Sequence, residues 1–258
     1  MGEPTLVFCH PAVYGLATFQ PLLEQLCQDF RIVTWDPRGT GRSDPLPGPY
    51  YTRDYVQDLR AVIEAIGDRA VVIVGNSRGS TVATRFASSH PHLVDKLVLA
   101  GLAPAGRHDS PDYLHADRLD AEFWARFDAA IAADDWPAVV RAFIAQVCAG
   151  EPGCQKLIEG GIKVWRTQIP LPVVKNFFAL DDPGRDVRAL LPALRVPTLV
   201  VHGEVDRLNP VEAARWTSEQ IPGAQFYAFK GRSHMMVATA TVEFAEVVRC
   251  FIRTGRPV

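Results

Sequence analysis

A chain of 258 residues, 48% hydrophobic and 22% charged, has material for one large core, and an α/β domain with an insertion suits that length better than two independent domains. Its formal net charge of -2 leaves no basic surplus to neutralise phosphates, so neither nucleic acid nor an anionic membrane surface is expected as a partner. There is no apolar run of about eighteen residues, no basic and apolar leader pattern and no lipidation or retention signal, so a cytoplasmic protein is predicted. The five cysteines, Cys9, Cys27, Cys148, Cys154 and Cys250, are odd in number and lack metal-ligand spacing; free thiols, no metal and no cofactor are expected.

In chain order, strands are predicted over 5–9, 31–35, 70–75, 97–101, 198–203 and 224–229, and helices over 18–28, 52–66, 77–89, 210–220 and 239–253. Most of the strand runs are Val, Ile and Leu with little polar alternation, as in a parallel sheet covered on both faces. Residues 105–188 differ: helical stretches over 112–133, 136–148 and 154–168 are broken by Pro and Gly, without a strand. This block reads as a helical insertion over the carboxyl ends of the sheet, where open α/β sheets bind ligands, with residues 1–104 and 189–258 forming the core. Its aromatic residues read first as packing; Trp124, Phe127, Trp165 and Phe178 are also candidate lining for a hydrophobic substrate pocket.

The strongest local signal is Gly75-Asn76-Ser77-Arg78-Gly79, which follows an apolar strand and precedes a helix. So sharp a turn strains the serine backbone and needs small residues two before and two after it. It also presents the hydroxyl at the sheet's carboxyl edge, beside the free N–H groups of a helix start. A serine hydroxyl attacks carbon only when a base takes its proton. Of seven histidines, His90 and His92 read as surface residues, His108 and His115 have no ordered partner, and His202 reads as core or loop packing. His234 follows the last strand by the short loop Lys230 to Ser233, which returns the chain to the carboxyl edge, and is the candidate base. Asp206, just beyond the strand over 198–203, is the candidate acceptor that would orient it; Glu204 leaves the strand too early.

Taken with His10-Pro11 after the first strand and Asp36-Pro37-Arg38-Gly39-Thr40-Gly41-Arg42-Ser43 after the second, these segments resemble the α/β-hydrolase superfamily, in its serine-nucleophile branch with a helical cap, over nearly the whole length. The resemblance implies a mostly parallel sheet flanked by helices, a Ser77, His234 and Asp206 triad, and an oxyanion hole from the backbone N–H groups of Arg78 and Ala12. His10 is expected to organise its loop and border the substrate pocket. Three departures stand out. Pro11 occupies the place of a usual glycine and lacks an N–H. Arg78 replaces an uncharged residue: its guanidinium either binds a substrate carboxylate or, the preferred reading, turns aside into a salt bridge. The antiparallel hairpin that normally precedes the first strand is missing, so the strand over 31–35 would be an open edge, which predicts a covering homodimer or further chain upstream.

The expected function is hydrolysis of a small to mid-sized hydrophobic ester, lactone or thioester through an acyl-enzyme, with a small molecule as the partner. Ser77 excludes reactions that need an aspartate nucleophile. A carbon–carbon bond hydrolase is the alternative that Gly75-Asn76-Ser77 resembles, although the loop before His234 lacks the Cys-Gly-His-Trp arrangement of that group. Acyl transfer, and a receptor-like protein that binds a small molecule without turning it over, also remain open.

Overall fold

The computed structural model describes residues 4–11, 19–44, 48–67, 70–105, 121–179 and 182–258. Its six strands are β1 (Thr5–Cys9), β2 (Arg31–Thr34), β3 (Val71–Asn76), β4 (Val94–Ala100), β5 (Thr198–Gly203) and β6 (Gln225–Phe229). All pairings are parallel, in the order β2-β1-β3-β4-β5-β6, with Val7 opposite Val33 on one side and Ile73 on the other.

Successive side chains point to opposite faces. Val7 and Cys9 enter one core with Tyr55, Leu59 and Ile63 of α2 (Thr52–Ile66) and Phe86 of α3 (Arg78–Ser89). Leu6 and Phe8 enter the other, with Leu22 and Leu26 of α1 (Gln20–Leu26) and Phe244 and Phe251 of the C-terminal helix Thr241–Thr254. Burial on both faces is why these strands read as unbroken apolar runs. The chain leaves β1 for the edge strand β2 and then crosses back over it to β3. The connections therefore diverge between β1 and β3, opening a crevice at their carboxyl ends. Among the described residues no antiparallel hairpin precedes β1, and the outer edge of β2 pairs with no strand.

Between β4 and β5 lie α4 (Ala121–Ala132), α5 (Trp136–Val147), α6 (Gln155–Gln168) and α7 (Leu171–Ala179). The predicted start of the first at 112 lies outside the described residues. Helix α7 goes unread in the sequence because Pro170 and Pro172 look like breakers; Pro172 instead occupies the first turn, where a missing N–H leaves no bond unmade. Strand β4 begins three residues before the expected 97, because Asp95 and Lys96 sit where the strand emerges to solvent.

The insertion is fixed to the core by buried polar contacts. Asp182 accepts from the backbone N–H and the hydroxyl of Thr52, at 2.7 and 2.6 Å. Asn176 of α7 accepts from the Tyr50 N–H at 2.6 Å and donates to the Tyr50 carbonyl at 2.7 Å. No helix among the described residues is long and apolar enough to cross a membrane. Following β5 are α8 (Val211–Gln220), then α9 (Met236–Thr239) and α10 (Thr241–Thr254) after β6.

Candidate active site

Ser77 occupies the single residue between β3 and α3, with φ 53° and ψ -120°, a conformation that side chains other than glycine rarely take. Two features hold it there. Its N–H donates to the Ala100 carbonyl at the end of β4, 2.7 Å away. Its flanking glycines let three backbones pass: a Cβ on Gly79 would stand 2.1 Å from the Cys9 carbonyl oxygen, and one on Gly75 2.6 Å from the Ser80 Cα.

Asp206 is buried in the turn after β5, and every acceptor direction of its carboxylate is used. Oδ1 accepts the N–H groups of Leu208 (2.8 Å) and Asn209 (3.0 Å). Oδ2 accepts Nδ1 of His234 at 2.7 Å and lies 3.0 Å from Nε2 of His202. Burial alone would raise its pKa, but the charge and hydrogen bond of His234 and those of His202 outweigh burial and hold the carboxyl well below its ordinary range. His202 is core, as its strand position predicts; its contact with Asp206 is visible only in three dimensions. Nε2 of His202 also meets the Asn209 carbonyl at 2.9 Å, so that nitrogen carries the proton.

The imidazole of His234 is buried, with Nδ1 committed to Asp206 and Nε2 without a hydrogen-bond partner among the described residues. The Ser77 hydroxyl therefore makes no bond to Nε2 in this structure. Both residues meet the end of β4, where Ser77 bonds Ala100 and the His234 ring lies against Gly101. A Cβ on Gly101, which has φ 62°, would stand 2.9 Å from Cε1 of that ring.

The insertion reaches into the loops that carry both residues. Glu151, between α5 and α6, accepts the N–H and hydroxyl of Ser233, each at 2.8 Å, and Nη1 of Arg232 at 3.0 Å. Burial opposes its ionisation, but these donors hold its carboxyl below the usual value. Gln146 of α5 donates to the Arg207 carbonyl at 3.2 Å, beside Asp206. Sequence reading missed Glu151, because a lone glutamate between helices looks like any solvated charge. Glu204 is exposed and, among the described residues, accepts the Gly231 N–H at 3.0 Å and makes no bond to His234.

A cleft opens beside the elbow. Its walls include His10, Trp35, Tyr55, Arg78 and, from α7, Val173. His10 is buried against Phe19, and burial lowers its pKa to about 4 although Asp36 and the Trp35 backbone favour its charged form. Ala12, the expected second oxyanion donor, lies outside the described residues, as do His108 and His115. Arg78 is the first residue of α3, so its N–H is one of the unpaired donors of a helix start.

Two expectations need correction. The guanidinium of Arg78 makes no salt bridge among the described residues; it lies over the Tyr55 ring, 3.8 Å from the centroid, and 5.4 Å from that of Phe177. Of the aromatics expected to line the pocket, Phe127 is fully buried against Phe123, Trp124, Phe143 and Phe178, and Trp165 packs against the same core. None of Trp124, Phe127, Trp165 and Phe178 lines the cleft beside the elbow; all four pack into or against the core among the helices. Asp36 and Arg38 stabilise their loop: Arg38 forks onto Asp58 of α2, while Asp36 pairs with Arg42.

The α/β-hydrolase fold family model matches residues 4–241. The chain is 26% identical to 2-(acetamidomethylene)succinate hydrolase of Mesorhizobium japonicum, over 90% of this chain and 81% of that one. It is 27% identical to pimeloyl-[acyl-carrier protein] methyl ester esterase of Vibrio parahaemolyticus, over 96% and 94%. Among solved structures, a hydrolase from Oleispira antarctica superposes with a TM-score of 0.84 at 20% identity, covering 98% of this chain and 92% of that one, a likeness of fold. With its sheet, its insertion and a family match over nearly its whole length, this chain belongs to the α/β-hydrolase fold family and is a hydrolase.

Proposed function

We propose that the chain hydrolyses a small to mid-sized carboxylic ester, lactone or thioester through an acyl-enzyme on Ser77. The observation that carries this reading is the buried His234, whose Nδ1 is bonded to Asp206 while Nε2 has no partner among the described residues, with its ring against Gly101, next to the Ala100 that Ser77 bonds. An imidazole so held has its second ring nitrogen available to take the serine proton.

In the proposed reaction the Ser77 oxygen bonds to the acyl carbon as its proton passes to Nε2 of His234. Asp206 stabilises the imidazolium without taking the proton. The Arg78 N–H donates to the developing oxyanion, with Ala12 proposed as the second donor; one such donor is typically worth about 3 kcal/mol. His234 then gives its proton to the leaving oxygen or sulfur, and the bond to carbon breaks. Water, deprotonated by the same nitrogen, attacks the acyl-enzyme and releases the acid. Ester cleavage is also what the name of the Vibrio parahaemolyticus relative states for that protein.

The test is intact-protein mass spectrometry after a fluorophosphonate probe, with Ser77→Ala as control, alongside a p-nitrophenyl ester chain-length series. A single adduct on Ser77 together with multiple turnover supports the reading. Folded protein that takes no label, or hydrolysis that survives Ser77→Ala, would refute it.

A further inference from the structure

We propose that the cleft beside the elbow selects substrates bearing a carboxylate, with the Arg78 side chain as its anchor. This deepens the hydrolase reading by naming its substrate class, and rests on that reading for the position of the reacting bond.

Arg78 is placed where a cation needs a reason. It is the first residue of α3, at the positive end of the helix dipole, where a positive charge is disfavoured. A salt bridge would relieve it, but none forms among the described residues, and the described carboxylates on the elements around the cleft already have partners. Asp54 and Asp58 face Arg38, and Asp36 faces Arg42 and accepts its N–H. Asp182 is held by Thr52 and Gly184. Among the described residues, the contacts of the Arg78 guanidinium are with the aromatic rings of Tyr55 and Phe177, one from the core and one from the helices between β4 and β5. Stacking uses the face of a guanidinium and leaves its in-plane N–H edge, the edge that forks onto a carboxylate. Tyr55 is itself buried, so the plane on which Arg78 rests is fixed.

The approach to this residue carries the same sign. An open pocket that shares Asp36, Gly41 and Ile169 with the cleft is lined also by Arg42, whose side chain is 88% exposed, and by Arg166 of α6, which is exposed and has no ion pair among the described residues. Asp36 is the one acid on this path among the lining residues, and Arg42 already faces it. Cations in that open pocket and in a cleft with apolar walls draw anions inward. The walls, among them Trp35, Val82, Ile169 and Val173, suit the carbon chain that would join such a carboxylate to the reacting carbonyl.

Two matched pairs of esters locate the carboxylate. Mono-p-nitrophenyl glutarate against p-nitrophenyl valerate places it on the acyl part; 4-carboxyphenyl acetate against its methyl ester places it on the leaving group. The wild-type protein is expected to favour the anion in one pair by kcat/KM. Arg78→Met is expected to reduce that preference about ten- to a hundredfold, and Arg78→Lys to restore part of it, since a lysine keeps the charge but not the fork. Calorimetric titration of glutarate into Ser77→Ala, with and without Arg78→Met, reads binding independently of turnover. Glutarate binding that Arg78→Met abolishes, without hydrolysis of any ester, would keep this proposal and sink the hydrolase reading. Hydrolysis with no preference for either anion, or a preference that Arg78→Met leaves intact, overturns the anchor and leaves the hydrolase reading standing.

Discussion

Glu151 accepts both the N–H and the hydroxyl of Ser233 at 2.8 Å, so a carboxylate of the helical insertion fixes the residue immediately before His234. The insertion is thereby mechanically part of the proposed base. Glu151→Ala removes three hydrogen bonds and leaves Arg232 to solvent. Stability should fall by about 2 kcal/mol, read from urea unfolding. Misplacing the imidazole should lower kcat by up to about a hundredfold with little change in KM. An unchanged kcat would mean that the loop holds its own shape.

Asp206→Asn keeps a side chain of the same shape, but its amide cannot accept from Nδ1 of His234 as the carboxylate does, and the wrong imidazole tautomer is favoured. By the logic of an oriented base, kcat should fall about a thousand- to ten-thousandfold while substrate binding persists. Single-turnover kinetics with a p-nitrophenyl ester would show the loss in the acylation step; a drop confined to KM would contradict the assigned role.

Gly101→Ala tests the contact between the end of β4 and the base. Its Cβ would stand 2.9 Å from the His234 ring in a backbone with φ 62°. Gly223 has φ 75° and nothing within 4 Å of an added Cβ. Both substitutions should cost about 1 kcal/mol of stability through backbone strain, but only Gly101→Ala should also lower kcat. Equal activity in the two variants would show that the imidazole can shift without penalty.

His10 makes stability depend on pH. The folded protein holds it neutral down to about pH 4, whereas an unfolded chain protonates it near 6.5, so the unfolded state binds the extra proton between those values. The stabilisation is complete above pH 6.5 and is lost as pH falls towards 4, by about 3 kcal/mol in all. Unfolding in urea at pH 7.5, 6 and 5 should show the decline, and His10→Gln should flatten it. Asp206 and Glu151, both held below their ordinary values, add a further loss only at lower pH, where carboxylates of the unfolded chain take up protons.

The sequence by itself determined the alternation of strands and helices, the helical block between β4 and β5 and the sharp turn at Ser77. These are written in local terms: a strand buried on both faces must be continuously apolar, and a turn as tight as that at Ser77 must have Gly75 and Gly79 around it. Asp206 and His234 were legible for the same reason, since each follows a recognisable strand by a short loop. Tertiary structure alone decided what those residues meet. Nothing near His202 in the chain announces that its ring reaches Asp206, nor does Glu151 announce a contact with Ser233, which is 82 residues away. The aromatic residues of the insertion carry the same helical spacing whether they face a substrate or one another. Only packing assigned Phe127 to the interior and left Arg78 over the Tyr55 ring, without a counter-ion among the described residues, at the cleft. Periodicity records which side of an element is buried, while the partner on that side is chosen by how distant elements come together.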